Sequence, residues 1–268
     1  MNPGLGYDEE ALRSAYSAFG IRPGDIAYVT GNLGELGFHK AKSKAAVLES
    51  HCSALRATVG DSGTLAVPTH SFSLCNTAIP FDPAQTPSET GPLTEFIRRQ
   101  EGSVRQFHPF SSVTAVGPQA AALCGDCTRH VYGPNTPFER LIEANAWCVS
   151  LGLPPNRTSS VVHHLELTMA VPYRYTKEIM HLVWRDGQLG KEPFYLFVLY
   201  RDADIERDRN VKIFEHPRLR DTIKEAKIGM GTVWAYRMQD FAAAARELMS
   251  RDIYTWLRTP PTMRPYQK

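Results

Sequence analysis

The strongest constraint on the fold lies in the first seventy residues. Two short apolar runs, DIAYVT and TLAVPT, are bounded by the turn segments RPGD and GDSG and separated by KAAVLESHCSALRATV, whose apolar residues recur at helical spacing. Such runs, too short for helices and apolar throughout, predict strands buried on both faces. A helical EEALRSAYSAFG precedes them, and the alternation of helix and strand is that of an α/β fold.

Downstream the pattern loosens. CNTAIPFDPAQTPSETGP carries four prolines, which neither a central strand nor a helix interior tolerates, and predicts a long loop of the kind used as a binding segment or lid. Its end, TPSET, predicts a helix start with Ser88 or Thr90 as cap, running through PLTEFIRRQEG to Gly102. SSVTAVG and AWCVSLGL predict strands flanking the VYGPNTP loop and an ERLIEAN helix, and PFYLFVLY and GTVWAYRM predict two more, separated by the polar RDADIERDRN. No linker, repeat or low-complexity tract divides the chain, so residues 1–268 are expected to form one domain, with frayed ends, TPPTMRPYQK above all.

A composition of 43% hydrophobic and 22% charged residues is that of a soluble globular protein rather than a disordered or fibrous one. No run approaches the roughly 18 apolar residues of a membrane helix, and MNPGLGYDEE lacks a basic start and an apolar core, which points to the cytoplasm. A formal charge of +2, with cations interspersed among acids, provides no basic field for nucleic acid. The five irregularly spaced cysteines are expected to be reduced thiols. Cys124, Cys127 and His130 form a C-x2-C-x2-H set that would suit zinc or a redox pair, but no second cysteine pair completes a tetrahedral site, and no metal is expected.

Chemistry concentrates in SSVVHHLELT. On a helix His163 and Glu166 share a face, while His164 is rotated by about 100°. A carboxylate accepting from one ring nitrogen would fix the tautomer and leave the other nitrogen as a base; equally, one histidine could be a satisfied core residue and Glu166 a solvated charge. His108, before Pro109, is held extended at a strand entrance. The hydroxyl-rich VPTHSFS follows a buried strand, at the end of the sheet where α/β folds bind ligands.

In order and spacing, GIRPGD, VGDSGTLAVPTHSFS, FDPAQTPSETGPLTEFIRR, the R-x-x-HP-x-x-S run from Arg105 to Ser112, GPNTPFERL and LGLPPNRTSSVVHHLE resemble the aminoglycoside 3-N-acetyltransferase family, also called the antibiotic N-acetyltransferase family, across roughly residues 10 to 250. The resemblance implies a mixed central sheet flanked by helices and direct transfer of acetyl from acetyl-CoA to an amine. It aligns His163 and Glu166 with the family's catalytic histidine and its acidic partner. It further implies a coenzyme groove bordered by Thr30, Gly31, Asn32 and Leu33 with Thr69, Ser71, His108 and Ser112, the thioester oxygen meeting donors around Thr30–Asn32 or Thr69. The chain departs from the family where Thr30-Gly31-Asn32-Leu33 replaces a His-Ser-Ser-Leu signature, where Gln106 replaces a serine, and where Ser160 replaces a threonine.

Partners are therefore an acyl-CoA and a small-molecule amine, with no nucleic acid and no membrane; a homodimer is compatible with the reading. Asp82 and Glu89, with Glu95, are the candidates to line an acidic pocket for an aminoglycoside, while the slightly basic balance suits an anionic amino sugar or biosynthetic intermediate as well. A non-catalytic acyl-CoA-binding protein of the same fold is the alternative from another class.

Overall fold

The structure, a computed structural model, describes residues 6–201, 203–208 and 211–267. The two apolar runs form the middle of its sheet. Strands β1 (Ile26–Gly31) and β2 (Thr64–Pro68) pair in parallel, joined by the crossover helix α2 (Lys44–Val59). The first helix, α1 (Glu9–Ala18), starts where Asp8 accepts from the Ala11 N–H, with Glu9 and Glu10 complementing the positive helix end; Ser43 caps α2 in the same way.

After the long loop come α3 (Pro92–Arg98), β3 (Val104–Arg105), β4 (Val113–Val116), α4 (Ala120–Cys124), α5 (Pro137–Glu143), β5 (Trp147–Leu151) and α6 (Val161–Thr168). A hairpin of β6 (Arg174–Arg185) and β7 (Gln188–Leu199) follows, then α7 (Val211–Glu215), α8 (Pro217–Arg220), β8 (Lys224–Ile228), β9 (Gly231–Arg237) and α9 (Met238–Arg251). The seven-stranded sheet runs β3-β4-β2-β1-β5-β9-β8, with β2, β1 and β5 parallel and the outer strands antiparallel. This is the expected single α/β domain with a mixed sheet. Residues of α1, α2 and α3 pack on one face, and those of α4, α5, α6 and α9 on the other.

From β1 the chain crosses to β2 on one side and later returns to β5 on the other, so strand order reverses beside β1. The carboxyl ends of β1 and β5 at such a switch point are where an open α/β sheet leaves room for a ligand. The approach there is tight: Gly31 has φ +123°, and a Cβ on it would stand 2.1 Å from the Leu151 carbonyl oxygen. Glycine is thus obligatory where the family signature has serine.

Four sequence expectations need correction. The α3 cap is Gly91, without a side-chain bond, because Ser88, Thr90 and Thr94 bond to one another and Thr90 also to the Pro68 carbonyl. That helix ends at Arg98, short of Gly102. The PFYLFVLY strand is the second half of a twelve-residue strand whose hairpin partner went unpredicted. The C-terminal segment does not fray at Thr262–Met263, since Asp204 accepts from both backbone N–H groups and from the Thr262 hydroxyl. Among the described residues no helix is long and apolar enough to cross a membrane.

Candidate active site

Helix α6 leaves the loop after β5 and buries Val161, Val162 and Leu165 against the core. On its other side His163, with 23% of its side chain exposed, faces Glu166, which has 2%. Nδ1 of His163 lies 2.6 Å from Oε2 of Glu166. An ionised carboxylate only accepts, so the shared proton sits on Nδ1 and Nε2 keeps its lone pair.

Glu166 is held from two further directions. The Tyr173 hydroxyl donates to Oε1 at 2.9 Å, and Arg174 Nε forms an ion pair with Oε2 at 2.9 Å, its guanidinium resting over Phe197. Burial pushes the Glu166 carboxyl up, but the His163 hydrogen bond and charge, the Arg174 charge and the Tyr173 bond outweigh it and bring it below its ordinary value. The carboxylate is a fixed anion. Tyr173 and Arg174 were missed by sequence reasoning: they reach Glu166 after the chain turns back through Ala170, at φ +55°, into β6, and no helical spacing links them to it.

The adjacent His164 has a different place. It is buried, its Nδ1 accepts from the Gly133 N–H at 3.3 Å, and burial lowers its pKa to about 4. It is a neutral core histidine.

His163 and Glu166 line a cleft of about 300 Å³ with Asn156, Arg157, Thr158, Ser159, Ser160, Val162, Arg207 and Trp256. A second, mainly apolar recess of about 230 Å³ is lined by Val29 to Gly34, Thr90 to Thr94 and Leu151. Val29, Leu93 and Leu151 belong to the core on the α1–α3 side, whereas Val162 and Trp256 belong to the other. The two recesses share no lining residue, and both adjoin the carboxyl ends of β1 and β5, one through Thr30, Gly31 and Leu151 and the other through the loop that follows β5.

Thr30, Gly31, Asn32 and Leu33 thus line the mainly apolar recess. The other expected coenzyme residues do not join them. Thr69, Ser71, His108 and Ser112 are buried, and an internal network uses their polar groups. Arg105 donates to the Thr69 carbonyl, the Ser71 hydroxyl and the Ser112 hydroxyl, and the Thr69 hydroxyl bonds Ser112 and Thr114. His108 Nδ1 accepts from the Phe110 and Ser111 N–H groups, and burial lowers its pKa to about 3. Two of the expected oxyanion donors are also committed: the Asn32 N–H goes to Leu151 O at 2.7 Å and the Thr69 N–H to Ser112 O at 2.8 Å.

Asp82 and Glu89 lie away from His163. Asp82 caps its own turn by accepting from the Ala84 and Gln85 N–H groups, and Glu89 accepts from the Ser73 N–H and hydroxyl. Neither lines the His163 cleft. Cys127 lies 3.4 Å from Arg140 and His130 stacks on Tyr195; among the described residues no three His, Cys, Asp or Glu side chains converge as metal ligands.

The family profile described as aminoglycoside 3-N-acetyltransferase matches residues 32–250. An aminoglycoside N(3)-acetyltransferase III from Salmonella sp is 27% identical over 203 residues, 69% of each chain. An aminoglycoside N(3)-acetyltransferase IV from Salmonella sp is 29% identical over 210 residues, 77% of this chain and 76% of its own. Among solved structures, aminoglycoside acetyltransferase AAC(3)-IVa as apoenzyme is similar in fold, with a TM-score of 0.74 at 23% identity over 95% of this chain and 93% of its own. AAC-IIIb with CoASH gives 0.76 at 20% identity over 95% and 99%. The profile match runs from just after β1 into α9 and so takes in the dyad, the hairpin and the part of the apolar recess from Asn32 onward. The chain belongs to the aminoglycoside 3-N-acetyltransferase family and is an N-acetyltransferase.

Proposed function

We propose that the chain transfers acetyl from acetyl-CoA to an amino group of an aminoglycoside or related amino sugar, with His163 as general base and Glu166 as its positioning partner. The observation that carries this is the 2.6 Å contact between Nδ1 and Oε2 on the wall of an open cleft. An alkylammonium with a pKa like that of lysine, about 10, is almost wholly protonated at neutral pH, and its nitrogen must shed protons to form an amide. His163 Nε2 is the lone pair placed to take one. Glu166, kept ionised, stabilises the imidazolium that results. A base so positioned contributes about 10²–10⁴-fold, or about 3–5 kcal/mol of barrier.

Acetyl-CoA supplies the acetyl group as a thioester, and Thr30 to Leu33 with Thr90 to Leu93 are the residues that would hold its arm. In support, AAC-IIIb was solved with CoASH, and a histidine-to-alanine mutant of AAC(3)-IVa was solved in complex with a gentamicin. A protein that only bound acyl-CoA would have no use for a histidine steadied by a buried carboxylate that itself accepts from Tyr173 and pairs with Arg174. The test is His163→Ala in a free-thiol release assay with acetyl-CoA and an amine panel. Turnover is expected to fall by about two to four orders of magnitude with the circular dichroism unchanged. A variant within threefold of wild type rules this base out.

A further inference from the structure

Among the described residues, the walls of the His163 cleft carry cations and no free anion. Arg157 and Arg207 line it, both are exposed, and among those residues neither forms an ion pair. Of the two acids flanking Arg207, Glu206 bonds Arg258 instead, and Asp208 does not line the cleft and forms no ion pair among the described residues. The one carboxylate lining the cleft, Glu166, is 2% exposed and already bound to His163, Tyr173 and Arg174.

The neutral groups lean the same way. The Trp256 side chain is buried on the cleft wall and its indole N–H, which can only donate, has no acceptor among the described residues. The amino end of α6, the positive end of its dipole, lies there too: Ser160 at the cap makes no side-chain capping bond, and Ser159, Ser160 and Val162 are all cleft residues. The exposed charge lining the cleft beside the base is positive, and its one carboxylate is already spoken for.

We infer that the acceptor is an amine whose own framework carries a phosphate, phosphonate or carboxylate, which Arg157 and Arg207 grip while its amino group meets His163. A polyammonium acceptor meets two arginines with no exposed carboxylate on the described walls to offset them. The inference rests on the acetyl-transfer reading and names which amino sugars that site prefers. The coenzyme's own phosphates are the other anions in the reaction, and on the acetyl-transfer reading its arm is assigned to the apolar recess, which shares no lining residue with the cleft; titration in the presence of CoA separates the two anions.

The test pairs binding with turnover. Glucosamine 6-phosphate, glucosamine and kanamycin are titrated calorimetrically into wild type, Arg157→Ala and Arg207→Ala, with saturating CoA present, and the same three amines are run in the thiol-release assay. Glucosamine 6-phosphate is expected to bind wild type at least tenfold more tightly than glucosamine, with each arginine variant losing about tenfold and the preference shrinking as salt rises. The KM for acetyl-CoA should stay within twofold. Tighter binding of kanamycin, equal binding of the phosphorylated and plain sugars, or phosphate binding abolished by CoA overturns the inference. Binding of the phosphorylated sugar with no turnover of any amine leaves the anion preference standing and removes the acetyl-transfer reading instead.

Discussion

Replacing Glu166 by glutamine preserves shape and removes one charge, which makes it the sharpest probe of the dyad. The lost interaction is a charge-assisted hydrogen bond at 2.6 Å to a carboxylate with 2% exposure. Bonds of that kind contribute about 1.5–3 kcal/mol, or about 10- to 150-fold in rate when they act only on the imidazolium. A second effect adds to it. The glutamine amide can donate to Nδ1, which moves the ring proton to Nε2 and takes the base's lone pair out of the cleft, so kcat is expected to fall by about 10³. The same substitution strands Arg174, whose side chain is 6% exposed, as a buried cation without its anion, at a stability cost of about 3–5 kcal/mol. Thiol release at saturating acetyl-CoA and amine gives the first quantity, and thermal melting the second. Tyr173→Phe is the control: it removes only the bond to Oε1, leaves the Nδ1 contact, and should lower kcat less than tenfold. A folded Glu166→Gln enzyme within threefold of wild type would refute the reasoning. Because the carboxyl is held below its ordinary value, its stabilisation is present above the usual carboxylate range and is lost only as pH falls through the lowered value.

Three other outcomes are open to measurement. His164→Ala should cost about 2–4 kcal/mol of stability by opening a cavity beside Gly133, yet leave kcat per folded molecule within a few-fold, the reverse of His163→Ala. Gly31→Ala should lower the melting temperature and raise the KM for acetyl-CoA, since a Cβ there collides with Leu151 O at a positive φ, and unchanged values would mean that β1 and β5 can part freely. Acid should unfold the protein early. Burial lowers His51 and His108 to about 3 and His70 and His164 to about 4, so below the ordinary imidazole value the unfolded chain takes up protons that the folded one refuses. Each group then withdraws roughly 1 kcal/mol per pH unit, absent above about pH 6.5 and growing toward the folded values, and a melting temperature that stays flat between pH 7 and 5 would contradict this.

What the sequence disclosed and what it hid follow one physical distinction. The strands β1, β2, β5 and β9 were legible because a strand buried on both faces, or packed from both sides by helices, must be apolar wherever its partners come from. His163 and Glu166 were legible because three residues apart on a helix is a spatial statement made by local geometry alone. The hairpin strand β6 was not, since half of its RYTKEIMHLVWR is exposed, with Lys177, Glu178 and Arg185 charged, and its inward residues pack on Phe81 and Phe110 of distant loops. The grouping of Thr30 with Thr69, Ser71, His108 and Ser112 erred for the same reason. Polar residues at strand ends read alike in sequence whether they point into a ligand site or, as here, satisfy a buried arginine. Only the strand order separates them. It sets Gly31 beside Leu151 at the apolar recess, and in the loop after β5 Thr158, bonded to Ser150 at 2.8 Å, turns the chain into α6. On the proposed reading the two substrates enter by separate recesses with no lining residue in common, both adjoining the carboxyl ends of β1 and β5. Because the two recesses share no lining residue, the charge of each is set independently, and a chain of net charge +2 can keep one mainly apolar and line the other, with His163, by two exposed arginines.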